Sequence, residues 1–182
     1  VFAVPAVLFT SRGLRRLRHG TTQRALAAVA ELLETQGAAR FEEIERHADI
    51  PEGRADDALR ALRAKGRFKG RLEARLSWAC SAQHEQRCLQ SLPGIVLARG
   101  RVGRDQLGDG LRAPPEVLRS WVYAAVQAGQ LQGYANWKEG VLYSREADAL
   151  RAARTCPGCG GALEMVGRGV VACPFCEAEV LL

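Results

Sequence analysis

Lysine is scarce in this sequence: of 26 basic residues only Lys65, Lys69 and Lys138 are not arginine. With the abundance of Ala and Gly, that bias reads as a GC-rich coding preference, so arginine number alone is no argument for a polyanionic partner. Histidine is equally sparse. His19, His47 and His84 fall in separate stretches without a Cys, Ser or carboxylate pattern beside them, which excludes a nucleophilic triad or a histidine metal centre. No Gly-rich loop follows a strand pattern, so nucleotide hydrolysis has no phosphate cradle. These absences leave an enzyme no residues to work with, and the expectation is a non-catalytic protein.

Cysteine is too thin for a disulfide framework, at six in 182 residues. Four of them form two CxxC pairs, Cys156/Cys159 and Cys173/Cys176, in "CPGCGGALEMVGRGVVACPFCE". Cys80 and Cys88 follow no ligand pattern and read as reduced, buried small hydrophobes in a cytoplasmic protein. The formal net charge of +6 falls to +4 if four bound thiolates and one Zn2+ lower it by two.

Long apolar runs are also missing. The opening "VFAVPAVLFTSRGLRRLRHG" has nine mostly apolar residues before Arg12, Arg15, Arg16 and Arg18. A secretory signal carries its basic residues before the apolar run, so the order is wrong for one. Nine helical residues reach only ~14 Å of a hydrocarbon core about 30 Å thick. As given the segment cannot span a bilayer, but residues 1–20 read as the end of a truncated transmembrane helix, which would attach the protein to the cytoplasmic face of the membrane through residues 1–18 with the arginines as the cytoplasmic flank, or as a disordered tail, or as an apolar arm on the first domain.

What the sequence does contain is a repeat. A shift of 63 residues lays Gly37 on Gly100, Ile44 on Leu107, Pro51 on Pro114, Gly66 on Gly129, Phe68 on Leu131 and Gly70 on Gly133 without a gap. That period fits two copies of a small domain rather than a solenoid. In the first copy, "TTQRALAAVAELLETQG" predicts a Thr-capped helix with Leu26, Val29, Leu32 and Leu33 on one face, ended by Gly37. A short helix with Phe41, Ile44 and Ala48 on one face follows, then a turn at "DIPEG". The next helix carries Ala55, Leu59 and Leu62. Leu72, Ala74, Leu76 and Trp78 alternate as in a half-buried strand or hairpin.

The second copy opens with a helix around Gln83–Leu92 that Pro93 is expected to break or kink, making "LPGIVLARG" a separate short helix. Leu118, Val122, Ala125 and Val126 form the next apolar stripe, and "LQGYANWKEGVLYS" predicts a hairpin with "WKEG" at its tip. Three helices and a β-hairpin, twice over, resemble tandem winged-helix domains, and "VYAAVQAGQLQGYANWKEGVLYS" is similar to the winged helix of PCI domains. The PCI helical repeats have no counterpart here. The fold class expected is α+β, with winged-helix domains at 21–81 and 82–145, a helical linker at 146–155 and a small zinc ribbon at 156–182.

The copies differ in charge. Residues 54–75 hold Arg54, Arg60, Arg63, Lys65, Arg67, Lys69, Arg71 and Arg75 against Asp56, Asp57 and Glu73, a net of +5, whereas 117–138 has only Arg119 and Lys138. A winged helix sets one helix in the major groove and its wing on phosphates, so the first seven of those cations are the candidate contacts to duplex DNA, the alternative being a solvated face. In the second copy Trp121 reads as core. Tyr134 and Trp137, if exposed on a wing, would mark a contact to a protein or membrane surface.

Two CxxC pairs thirteen residues apart supply four thiolates from two tight loops, the arrangement of a closed tetrahedral Zn2+ site with ligands Cys156, Cys159, Cys173 and Cys176. Between them "ALEMVGRGVVA" predicts two short strands turning at "GRG", and "EVLL" a third, so the unit resembles a zinc ribbon. Glu164, Glu177 and Glu179 read as solvated strand faces. "READALRAARTC" predicts a short helix that seats the ribbon on the second copy. The function expected is DNA binding in transcription regulation; the alternative is an adaptor for a protein partner that uses the second copy and the ribbon.

Overall fold

The computed structural model describes residues 11–145, 147–165 and 168–182. Its contacts divide the chain into two units, residues 1–81 and 82–182. Both mix helices with an antiparallel sheet, so the fold class is α+β.

The first unit opens on helix α1 (Ser11–Gln36). Residues 1–10 of the expected apolar segment lie outside the described residues, and α1 begins ten residues before the expected Thr21 cap. Nothing between Ser11 and Gln36 stops a helix: there is no proline, and Gly13 and Gly20 each cost only about 1 kcal/mol. Among the described residues no helix is long and apolar enough to cross a membrane.

Gly37 ends α1 in a left-handed conformation, and strand β1 (Ala38–Arg40) follows at once. Three residues are too few for a period-two pattern to show, and the sequence gives no sign of this strand. Helix α2 (Phe41–Ala48) buries Phe41, Ile44 and Ala48, and helix α3 (Ala55–Ala64) buries Ala55, Leu59 and Leu62, the faces their spacing predicts. Strands β2 (Gly70–Glu73) and β3 (Trp78–Ser81) complete a sheet of order β1-β3-β2, with Ala38 opposite Cys80 and Leu72 opposite Ala79. The expected alternation fails in the middle, because Ala74–Leu76 form a 3-10 turn that leaves Ala74 exposed. Leu26, Val29, Leu33, Ile44, Leu59, Leu62 and Phe68 form the core.

In the second unit helix α4 (Ala82–Arg99) runs unbroken through Pro93, against expectation. Leu92, Pro93 and Val96 are all buried, so the packing of this face outweighs the one backbone hydrogen bond that proline forgoes. The rest follows the 63-residue shift. Strand β4 (Arg101–Gly103), helix α5 (Arg104–Leu111), helix α6 (Pro115–Gln127), strand β5 (Gly133–Asn136) and strand β6 (Val141–Ser144) occur in the order of the first unit. For β4, α5, β5 and β6 the bounds themselves are those of β1, α2, β2 and β3 moved by the period.

The hydrogen bonds repeat as well. Ser81 N–H donates to the Gly37 carbonyl at 2.8 Å and Ser144 N–H to that of Gly100 at 2.9 Å; Phe41 N–H donates to Ser77 at 2.8 Å and Arg104 N–H to Gly140 at 2.7 Å. Gly70 and Gly133 occupy one backbone site in the two units. A Cβ on either would fall well inside 3.0 Å of a carbonyl oxygen on the partner strand, Cys80 in one and Tyr143 in the other, themselves 63 residues apart. That close approach is why the repeat keeps glycine there.

Past β6 the second unit has what the first lacks. Helix α7 (Ala147–Ala153) leads to the cysteines, and strands β7 (Val170–Ala172) and β8 (Glu179–Leu181) extend the sheet to the order β4-β6-β5-β8-β7. Strand β8 pairs with β5 through Gly133–Leu181, Tyr134–Val180 and Ala135–Glu179. Of the strands expected around "ALEMVGRGVVA", the described residues show only β7, preceded by an isolated bridge between Thr155 and Ala162.

Candidate metal centre and basic face

Cys156, Cys159, Cys173 and Cys176 converge, with all four sulfurs within 4.8 Å of one another and none in a disulfide. Two congruent turns bring them there. In the first, Gly160 N–H donates to the Cys156 carbonyl at 2.8 Å and Cys156 N–H to that of Gly161 at 2.8 Å. In the second, Glu177 N–H donates to Cys173 at 2.9 Å and Cys173 N–H to Ala178 at 2.8 Å. The residue after each pair, Gly160 or Glu177, takes the left-handed conformation that turns the chain back.

These turns also point N–H groups at sulfur. Gly158 N–H lies 3.4 Å from the Cys156 sulfur. Burial works against the Cys173 thiolate, but the N–H groups of Cys176 and Phe175 and the neighbouring thiols outweigh it and bring that thiol down to about 7. Burial pushes the Cys156 thiol up to about 12. Cys156 and Cys173 sit in a small apolar core with Leu163, Ala178, Val180, Leu182 and Leu150 of α7. The linker helix is thus packed into the same core as the cysteines.

The acids nearby divide. Glu164 and Glu177 are exposed, as expected, whereas Glu179 is only 6% exposed, which corrects its reading as a solvated residue. Its pairing in β8 turns the carboxylate onto α6 and the β5–β6 turn. There Tyr123 Oη donates at 2.7 Å, Trp137 Nε1 donates at 2.6 Å, and Arg119 forms an ion pair. The guanidinium of Arg119 lies over the rings of Tyr123 and Trp137, 5.4 and 5.5 Å from their centroids. Burial works against its charge, but the bonds to Tyr123 and Glu179 raise its pKa. The sequence signal for this cluster is a segment, 117–138, with cations, Tyr and Trp but no acid of its own.

Trp137 is therefore half-buried and engaged inside the unit. Tyr134 is half-buried too, stacked on Tyr143 with ring centroids 4.4 Å apart. Neither is the exposed aromatic that a wing contact calls for. Trp121 is core, its Nε1 donating to Glu85 at 3.0 Å. Cys80 and Cys88 are buried and in no disulfide; burial pushes the Cys88 thiol up to about 11, and its sulfur lies 3.3 Å from His84 Nε2.

The basic face of the first unit is partly neutralised. Arg54 pairs with Asp57 at 3.2 Å, Arg60 with Asp56 at 2.8 Å and Arg71 with Glu73 at 2.7 Å, so all three acids of 54–75 are taken. Arg63 donates to the Gly70 carbonyl at 2.7 Å and lies over the Phe68 ring at 5.4 Å, tying the end of α3 to the start of β2. Lys65, Arg67 and Lys69 are exposed on the connection between α3 and β2, and Arg75 on the turn before β3, with no ion pair to a described residue.

No protein-family model matches the chain, and no curated protein matches it.

Proposed function

We propose that this is a non-catalytic zinc protein built on two tandem winged-helix copies, the first of which binds duplex DNA and so serves in transcription regulation. The zinc reading is supported by the sulfur spacing. Sγ–Sγ separations of 3.6 Å for Cys156–Cys176 and 3.7 Å for Cys159–Cys173 match the edge of about 3.8 Å in a tetrahedron of 2.3 Å Zn–S bonds. Four thiolates fill the coordination sphere and leave no position for a substrate or an activated water, so the metal holds the fold together. The winged-helix reading is supported by the element order and by each first strand pairing alongside the hairpin.

The observation that carries DNA binding is the row Lys65, Arg67, Lys69 with Arg75 on the turn between β2 and β3. These cations follow the helix that a winged helix sets in the major groove, and no acid on their own unit's 54–75 segment is left to neutralise them. Arg63, held by Gly70 and Phe68, presents a guanidinium whose side-chain freedom is already spent. The second copy offers no such row, and Tyr134 and Trp137, the aromatics that would mark a partner contact there, are half-buried and engaged within the unit.

The test is duplex binding against salt. Changing Lys65, Arg67 and Lys69 together to Ala is expected to weaken binding and to lower the slope of log K against log [salt] by about 0.9 per contact, about three units in all. An unmutated protein that binds no duplex at low salt rejects the proposal.

A further inference from the structure

The carboxylate of Glu179 belongs to the cysteine unit by sequence and to the second copy by contact. It lies three residues beyond Cys176, in the strand that leaves the second metal-binding turn, yet none of its partners comes from that unit. Tyr123 Oη reaches both its oxygens at 2.7 Å, Trp137 Nε1 reaches Oε2 at 2.6 Å, and Arg119 pairs with Oε1. Arg119 in turn bonds Tyr123 Oη from Nε at 2.6 Å, so the three donors form one connected cradle. A carboxylate this far from water depends on these partners, and each one lost weakens its hold in the cradle.

We infer that Glu179 is a metal-dependent latch: Zn2+ at the four cysteines holds β8 so that its carboxylate fills the cradle, and the filled cradle in turn raises the affinity for Zn2+. The inference rests on the zinc reading and is independent of DNA binding. The physical basis is linkage. A four-cysteine unit of this size has too little core to fold without its metal. Without metal the turn that leads into β8 loses its anchor, β8 is held against β5 only by its ladder and the cradle, and the carboxylate leaves more readily, turning Arg119, Tyr123 and Trp137 to solvent. Because the two events favour each other, bound metal strengthens the filled cradle by the same factor by which the filled cradle strengthens metal binding, and a weakened cradle lowers metal affinity by at most that factor. Arg119, Tyr123 and Trp137 are then positioning residues for a centre they do not touch. Lys138, paired with Glu177 at 2.9 Å on the exposed side of the same seam, adds little, since both side chains are solvated.

The experiment is competition for Zn2+ with a chromophoric chelator, using the whole chain. A carboxylate loses charge-assisted hydrogen bonds in Glu179→Gln, and the Zn2+ affinity is expected to fall about tenfold or more. Tyr123→Phe deletes one hydroxyl and keeps the ring, and a few-fold loss is expected even if the other variant folds poorly. Co2+ bound to either variant should keep the absorption of a tetrahedral thiolate site, which separates a weakened latch from a damaged centre. The second readout is the indole N–H resonance of Trp137, which should move when Zn2+ is stripped and stop responding to Zn2+ in Glu179→Gln. Equal Zn2+ affinities for the parent and both variants, or a Trp137 resonance indifferent to Zn2+, overturns the latch. A parent chain that takes up no Zn2+ fails earlier, and removes the zinc reading along with the latch.

Discussion

Replacing Gly70 with Ala tests the reasoning that links the repeat to backbone geometry. The methyl would lie well inside 3.0 Å of the Cys80 carbonyl oxygen and at 3.0 Å from the edge of the Phe68 ring. Neither neighbour can give way cheaply, because Cys80 sits in the middle of the sheet, paired with Ala38 on one side and Arg71 on the other. The start of β2 must move instead. That breaks the Gly70–Ser81 pairing and strains the Arg63 bond to the Gly70 carbonyl. Losing two such bonds and the local packing amounts to about 2–4 kcal/mol. For a domain of this size that corresponds to a fall in Tm of about 10–25 °C. The control is Gly66→Ala, where the methyl meets nothing within 4 Å and only the left-handed φ of 68° is penalised, by about 1–2 kcal/mol. Thermal unfolding of the two variants by circular dichroism gives the comparison. A Gly70→Ala protein as stable as Gly66→Ala would refute the claim that close backbone approach fixes the glycine, and with it the physical account of Gly133.

Native mass spectrometry after reducing purification is expected to find one Zn2+ per chain; less than about half an equivalent rejects the metal site. Cys88 bears on pH. Its thiol is pushed up to about 11 from an ordinary value near 9, so the folded state keeps a proton that the unfolded state releases. This contribution to stability is therefore fully present below about pH 9 and is lost as the pH rises towards 11. Urea midpoints at pH 8 and pH 10.5 should fall further in the parent than in Cys88→Ala, and parallel losses would contradict the burial of that thiol.

Helix faces were legible in the sequence because burial imposes a 3.6-residue period on any helix packed from one side, as Phe41, Ile44 and Ala48 show. The repeat was legible because its markers, Gly70 and Gly133 above all, answer to backbone geometry and so survive where side chains diverge. The cysteine cluster was legible because two ligands per tight turn is a local arrangement. What escaped is what depends on distant partners. Strand β8 is recruited by β5 across more than forty residues, and only that pairing buries Glu179. Helix α4 continues past Pro93 because of what its far side packs against, which no local propensity records. The pairing of Arg60 with Asp56 and of Arg54 with Asp57 is a milder case: both spacings suit a helix surface, but a net-charge count passes over them.

The two cysteine turns match in backbone but not in how far they reach into water. The leading member of each pair, Cys156 or Cys173, is buried, while Cys176 is half-buried and Cys159 is exposed. Ligand exchange at such a centre starts where an incoming thiol or chelator can touch a metal–sulfur bond, and that is Cys159. With a metal held by the four cysteines, exchange would therefore have an order, with Cys159 first to dissociate on unloading and last to close on loading. The rate of exchange would then be set at that one sulfur, whereas the equilibrium affinity would draw on the buried ligands and on everything packed behind them.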